Sequence, residues 1–221
     1  GKMEIAGIKV SGAVLSEIGL ENEKVLADLT TEIYDLAGEV FNINSPKQLG
    51  VILFEKMQLP VIKKTKTGYS TAVDVLEQLA PQAPIVDKIL KFRQISKIQS
   101  TYVTGLLGEI MDDGKIHTRY VQDLTQTGRL SSVQPNLQNI PVRLAEGRKI
   151  RKAFIPEKSD SVLLSSDYSQ IELRVLAHIS GDEHLIAAFE HGADIHTATA
   201  MRVFYIKNAE EVTANDRRNA K

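Results

Sequence analysis

No cysteine occurs in the 221 residues, so disulfides, thiol nucleophiles and cysteine-ligated zinc or iron–sulfur centres are excluded. The same absence suits a reducing, cytoplasmic compartment. Neither sign of charge predominates: 27 Lys and Arg against 28 Asp and Glu leave a formal net charge of −1. A uniformly cationic, histone-like binder is thereby excluded, and any surface for nucleic acid has to arise from local clustering. No apolar run approaches the roughly 18 residues of a membrane-crossing helix. Gly1-Lys2-Met3-Glu4 lacks the basic-then-apolar order of a secretion signal, so no membrane partner is expected. What is present is ordinary for a globular protein: 43% hydrophobic and 25% charged residues, enough for one large domain or two modest ones. The chain opens on Gly1 instead of Met, and its last helical pattern runs into Lys221 without a capping signal. It is expected to be a piece of a longer protein.

The first third reads as helix, and helical segments continue beyond it. Between Val14 and Ala37 apolar residues recur at three- and four-residue steps, with Gly19 as a candidate break and Gly38 as a candidate C-terminal cap. Ser45-Pro46 opens a helix to about Lys56, Ser as N-cap and Pro at the first helical position. A loop with Lys63, Lys64, Lys66, Gly68 and Ser70 reads as a solvated turn, and a short helix follows over 71–79. Pro81 and Pro84 frame a long helix from Ile85 to about Leu107, whose core stripe is Ile85, Ile89, Phe92, Ile95, Tyr102 and Leu106. Lys88, Lys91, Arg93 and Lys97 concentrate positive charge along it.

Beyond Gly108 the pattern changes. Asp113-Gly114 signals a turn, 115–121 alternates as a strand would, and 136–141 has no helical period. The run from Ser161 to Asp167 (SVLLSSD) reads as a buried strand ending on an acid, followed by helices over 171–180, 183–189 and 195–203. The class is therefore α+β, a helical part first and a sheet-bearing part second. A strand that delivers a carboxylate to a sheet edge suits Mg²⁺, which takes one or two protein carboxylates and fills its remaining positions with phosphate and water. Taken alone, the same arrangement equally suits Asp167 as the cap of the next helix.

The run DYSQIELRVLAHISGDEHL, beginning at Asp167, resembles the first palm motif of the family A DNA polymerases, the bacterial DNA polymerase I type. TGRLSSVQPNLQNIPVR (127–143), GADIHTATA (192–200) and RRNAK (217–221) follow the same family in the same order, and KIQSTY (97–102) and the opening MEIAGIKV resemble its thumb and the approach to it. Spread from the opening residues to Lys221, these runs make the resemblance cover essentially the whole chain, and two of them exceed ten residues, which is far more specific than a short pattern. It implies a mainly helical thumb followed by a partial palm sheet with helices, ending at the start of the fingers. The expected segments are 1–18 (palm), 19–112 (thumb), 113–185 (palm) and 186–221 (fingers). The family's third motif, with its second metal-binding aspartate, is not in the sequence, so polymerisation is expected of the parent protein and not of this stretch alone. A non-catalytic primer–template DNA-binding module is the alternative.

The resemblance also implies roles. Asp167 and the Tyr168 carbonyl correspond to the family's ligands for Mg²⁺. Glu172 corresponds to the steric gate against a ribose 2′-hydroxyl. His196, Arg217 and Lys221 correspond to contacts with the triphosphate of a deoxynucleoside triphosphate, with Tyr168, Ser169 and Gln170 beside them, and Asp167, Glu172 and Lys221 are the catalytic set. Arg217 and Lys221 stand four residues apart, on one face of a helix. Arg129, Asn136, Gln138 and Asn139 resemble donors that read the minor groove of primer–template DNA, where acceptors recur in every correct base pair. Arg93 and Lys97 form one basic strip, and Arg143, Arg148, Lys149, Arg151 and Lys152, opposed by Glu146, form a second. His178, His184, His191 and His196 fall close enough in sequence to raise a zinc site, but the family uses none. A monomer is expected.

Overall fold

The computed structural model describes residues 1–66, 68–142, 145–192 and 194–220. They form two compact units, residues 1–163 and 164–221.

The first unit is organised by two long helices. After a short helix α1 (Lys2–Ala6) and strand β1 (Ile8–Lys9), helix α2 (Gly12–Ala37) starts at Ser11, whose hydroxyl accepts the Val14 N–H, and stops at Gly38. Gly19 does not break it. A glycine inside a helix costs about 0.5–1 kcal/mol relative to alanine, but here its bareness is used: a Cβ at Gly19 would stand 3.1 Å from Val103 Cγ1. Beside it the buried Asn22 amide donates to Gln99 Oε1 at 3.1 Å. Helix α3 (Pro46–Gly50), capped by Ser45, continues through a π-helical turn at Val51–Lys56. The lysine-bearing loop closes as a two-stranded hairpin, β2 (Lys64–Thr65) and β3 (Gly68–Tyr69), and α4 (Val73–Leu79) follows. Helix α5 (Pro84–Ile98) runs through a second π-helical turn (Gln99–Thr104) into α6 (Gly105–Leu107).

The stripe expected on this second long helix is buried along its whole length, from Ile85 and Ile89 to Tyr102 and Leu106. It feeds two cores. Ile85, Ile89, Phe92 and Ile95 join Leu29 and Ile33 of α2 with Leu49, Leu53, Leu76 and Leu79. Tyr102, Val103 and Leu106 join Leu15 and Ile18 of α2 with Val10, Ile116, Ile140 and Ile150. At roughly 1.5–3 kcal/mol for each fully buried aliphatic side chain, these clusters dominate the stability of the unit.

The region expected as one strand over 115–121 is two, because residues 117 and 118 turn away to other partners. β4 (Lys115–Ile116) pairs antiparallel with β1, and β5 (Arg119–Val121) pairs with β6 (Ser131–Val133). Helix α7 (Ala145–Arg151) packs so closely that a Cβ at Gly147 would collide with the Pro141 carbonyl oxygen.

His117 fastens α1 to this region. Its Nδ1 lies 2.7 Å from the Glu4 carbonyl oxygen and its Nε2 3.0 Å from Asp113 Oδ2, while the Tyr120 N–H donates to Glu4 Oε1 at 2.8 Å. Both partners of the ring accept only, so the doubly protonated imidazolium alone can donate to both. The Glu4 carbonyl first, and Asp113 second, raise the His117 pKa above its ordinary 6.5, although burial and Lys115 oppose them. The bond from His117 holds the Asp113 carboxyl below its ordinary 3.8. The fastening is therefore complete below the ordinary value of His117 and is lost as pH rises through the raised one. At the acid end it is lost as pH falls through the lowered value of Asp113. NMR titration should give a His117 midpoint above 6.5, with the amide signals of residues 2–6 moving on the same curve. Independent titration of the two would refute the fastening.

The strand expected over 161–167, a run that begins in the first unit and ends in the second, does not form. A strand exists through its ladder, and no other strand among the described residues pairs with this run, whose Val162 and Leu164 are 85% and 90% exposed. In the second unit the described residues form the α-helices α8 (Ile171–Ser180), α9 (Glu183–Glu190), α10 (Ile195–Val203) and α11 (Ala214–Asn219). Only Ala177, Ile195 and Ala200 are buried among the described residues of this unit. Caps define its turns instead: Asp182 accepts the Leu185 N–H at 2.9 Å, and Thr213 and Asp216 form a reciprocal capping box. The fold is α+β, its strands arranged as three two-stranded ladders among the described residues.

Candidate nucleic-acid and nucleotide sites

In the first unit a groove of about 450 Å³ is lined by Lys97, Thr101, Tyr102 and Leu106 from the second long helix and by Pro135, Asn136 and Asn139 from the segment after β6. Three of the residues expected to meet DNA thus come together. The Tyr102 hydroxyl donates to the Asn139 carbonyl oxygen and joins helix to segment. Within the segment, Asn136 Oδ1 accepts the Gln138 N–H at 3.0 Å and the Ser132 hydroxyl at 3.2 Å, and Gln138 Oε1 accepts the Ser132 N–H at 2.8 Å. Their amide oxygens are engaged inside the loop, so the NH₂ ends of these exposed side chains are the groups offered outward.

Arg129 is exposed, and the Thr125 hydroxyl donates to its carbonyl oxygen at 2.7 Å. Arg93 does not join Lys97. Its guanidinium is partly withdrawn from solvent and donates to the Thr71 hydroxyl at 3.2 Å and to the Thr71 carbonyl oxygen at 2.5 Å. It lines a different hollow of about 930 Å³ with Lys47 and Tyr69. Burial pushes the Arg93 pKa down from its ordinary value. In the second basic strip, Lys149 is paired with Glu21 at 2.5 Å and Arg151 donates to the Ile140 carbonyl oxygen at 3.5 Å. Arg143 lies outside the described residues.

In the second unit Ser169, Gln170 and Arg217 share a hollow of about 330 Å³ with Arg174, Phe189 and Asp194. Gln170, in left-handed geometry at φ 53°, makes the turn into α8 and is its N-cap, so Asp167 does not cap that helix. Arg174 donates from Nε to the Ser169 carbonyl oxygen at 2.9 Å and sits 4.4 Å from the centre of the Phe189 ring. Asp194 caps α10 and is paired with Arg217 on α11. Burial raises the Asp194 pKa, but the His196 and Thr197 N–H groups and the Arg217 charge outweigh it and leave the carboxyl below its ordinary 3.8. Asp167, Tyr168 and Glu172 are exposed and do not line this hollow; His196 stands half-buried on the first turn of α10. Lys221 lies outside the described residues, and α11 ends at Asn219. Asp194 and Arg174 were not singled out by sequence reasoning. The signal for Asp194 was available, since an Asp before Ile-His-Thr at the start of a helix is a cap.

The described residues contain no group of three or more His, Cys, Asp or Glu placed to share a metal ion, the four histidines included. Asp167 offers a carboxylate that makes no hydrogen bond among the described residues, and Tyr168 offers a backbone carbonyl. No helix is long and apolar enough to cross a membrane among the described residues.

Residues 13–221 match the family model described as DNA polymerase family A. The chain is 81% identical over 220 residues to DNA polymerase I of Lactococcus lactis subsp. lactis (strain IL1403), covering 100% of this chain and 25% of that protein. It is 75% identical over 222 residues to DNA polymerase I of Streptococcus pneumoniae serotype 4, again 100% of this chain and 25% of the relative. For DNA polymerase I of Geobacillus stearothermophilus the identity is 60% over 220 residues, 99% of this chain and 25% of the relative. A solved structure, the POL domain of Pol1 from M. smegmatis in complex with DNA primer-template and dNTP, superposes with a TM-score of 0.92 at 42% identity, over 99% of this chain and 39% of that one. The chain spans about a quarter of the length of the curated relatives it matches. With a family match that takes in both structural units and identities this high along the whole sequence, the chain belongs to DNA polymerase family A.

Proposed function

We propose that this chain is part of a DNA-directed DNA polymerase, which adds deoxynucleotides to a primer 3′-hydroxyl under the direction of a template. The observation that carries this reading is its likeness, over 99% of its length, to a POL domain held with primer-template and dNTP. In the reaction the 3′-hydroxyl loses its proton and attacks the α-phosphate, a new phosphodiester bond forms, and pyrophosphate leaves. Asp167 and the Tyr168 carbonyl would hold Mg²⁺; both are hard oxygen donors, and the Asp167 carboxylate has no competing hydrogen bond among the described residues. Bound there, Mg²⁺ supplies acidity to the attacking hydroxyl and offsets charge on the phosphates. Glu172 excludes the ribose 2′-hydroxyl. His196, Arg217 and Lys221 bind the triphosphate, with Ser169 and Gln170 shaping the floor beside them. Residues 1–18 and 113–185 serve as palm, 19–112 as thumb and 186–221 as the start of the fingers. A change of core supports the boundary near residue 18, since Leu15 and Ile18 pack with Ile116 and Ile150 whereas Leu29 and Ile33 pack with the helices of 46–98; the end of the second long helix, Tyr102 to Leu106, returns to the first of these cores. The polymerase acts as a cytoplasmic monomer in replication and repair.

Primer–template DNA lies along the groove of Lys97, Asn136 and Asn139, with Arg129 and Gln138 reading the minor groove and Arg93 and Arg143 adding positive potential. For the chain by itself a second reading, binding without extension, is favoured by the unpaired run that leads to Asp167. Both readings require the chain to bind duplex without sequence preference. In salt titrations on two unrelated primer–template duplexes, Lys97→Ala should reduce the slope of log affinity against log salt by about 0.9, the contribution of one phosphate contact. Arg129→Ala should weaken binding with little change in slope, because its partner is a base edge. Binding that depends strongly on sequence, or none at low salt, would overturn the assignment. Primer extension by this chain, beside a polymerase of the relatives' full length that carries it, separates the two readings.

A further inference from the structure

Asp194 reaches two elements at once. Its Oδ1 accepts the backbone N–H of His196 at 3.0 Å and of Thr197 at 3.5 Å, which fixes the first turn of α10. Its Oδ2 is ion-paired with Nη2 of Arg217, 23 residues farther on, in α11. One carboxylate therefore sets the origin of the turn that carries His196 and the direction of the guanidinium of Arg217. Asp194 and Arg217 line the same hollow as Ser169 and Gln170.

We propose that Asp194 is a positioning residue for nucleotide binding, holding Arg217 in the arrangement that receives a triphosphate. The inference rests on the reading that His196 and Arg217 contact that triphosphate. A guanidinium presents five N–H donors, and one nitrogen engaged by a carboxylate leaves the others for phosphate oxygens. A free arginine surrenders rotamer freedom when it closes on a ligand; one already held by Asp194 has surrendered it before the nucleotide arrives. The carboxyl is charged at neutral pH, as the ion pair with Arg217 requires, and its pKa lies below the ordinary 3.8. Its exchange for an uncharged cap would leave the helix start in place and release the arginine.

Asp194→Ser makes that exchange, since serine is as good a cap but too short to reach Arg217. The measurement is equilibrium binding of the next correct dNTP to a polymerase of the relatives' full length on a dideoxy-terminated primer–template, where no chemistry follows. Asp194→Ser should raise the dNTP Kd about 10-fold and leave primer–template Kd within twofold. In steady state the change should fall on KM more than on kcat. In the Arg217→Ala background, Asp194→Ser should add nothing further. An unchanged dNTP Kd in Asp194→Ser, with Arg217→Ala weakened, overturns the positioning role and leaves the triphosphate reading intact. An equal loss from Asp194→Ser with and without Arg217 also overturns it, because the carboxylate then acts only through its helix. If Arg217→Ala alone leaves dNTP Kd unchanged, the triphosphate assignment of Arg217 falls and the positioning role falls with it.

Discussion

Asp167→Ala, in a polymerase of the relatives' full length, should lower the single-turnover rate of nucleotide addition by at least ~1,000-fold, about 4 kcal/mol of transition-state stabilisation. Primer–template affinity should stay within about threefold. The asymmetry follows from the proposed role. A carboxylate that holds a metal ion acts where charge develops, on the attacking hydroxyl and the transferred phosphate, and contributes little to gripping duplex. The surroundings of Asp167 agree: the side chain is exposed and makes no hydrogen bond among the described residues, so its loss removes no structural bond there. Quenched-flow extension beside a gel-shift titration provides both numbers. Extension within a few-fold of the parent would remove Asp167 from the site.

A second substitution should change what is chosen and not how fast. Glu172→Ala is expected to raise the ratio of ribonucleotide to deoxyribonucleotide incorporation, as kcat/KM, on the order of 100-fold, in the range that pocket shape alone can supply. Glu172 sits in the first turn of α8, five residues after Asp167, on a helix whose start is fixed by the left-handed turn at Gln170. Discrimination of this kind works by exclusion: the 2′-hydroxyl would lose its water against the carboxylate without gaining room. Competition between matched ribo- and deoxynucleotides, read by alkaline cleavage of the products, measures the ratio. A ratio that stays put would make Glu172 an ordinary surface residue.

Periodicity served the helices well because burial and period are the same signal. The stripe from Ile85 to Leu106 was legible residue by residue and every member is buried, even across a π-helical turn that no local preference announces. Gly19 was misleading for a physical reason: a glycine reads as a break until the neighbour that needs its missing Cβ is known, and Val103 is 84 positions away. The run ending at Asp167 misled in the opposite sense. Alternation and apolarity express a capacity to pair, and pairing is a property of two segments. Short motifs carried the family and the candidate roles, yet they could not show that Arg93 is tied to Thr71 or that Arg217 is tied to Asp194. Those bonds join residues with no periodic relation, so they appear only when the chain is folded.

The engaged amide oxygens of Asn136 and Gln138 carry a last consequence. An asparagine or glutamine at a protein surface can ordinarily rotate its amide by half a turn and exchange donor for acceptor. Here Ser132 and the Gln138 N–H forbid it. On the proposed reading, the loop is a one-way sensor: it recognises a lone pair on the duplex edge and has no second orientation for an edge that lacks one. Nucleotides altered on the opposite edge, such as those bearing a dye or an affinity tag there, would pass it unnoticed. A single methyl group on the sensed edge would cover the lone pair and leave the loop without a partner.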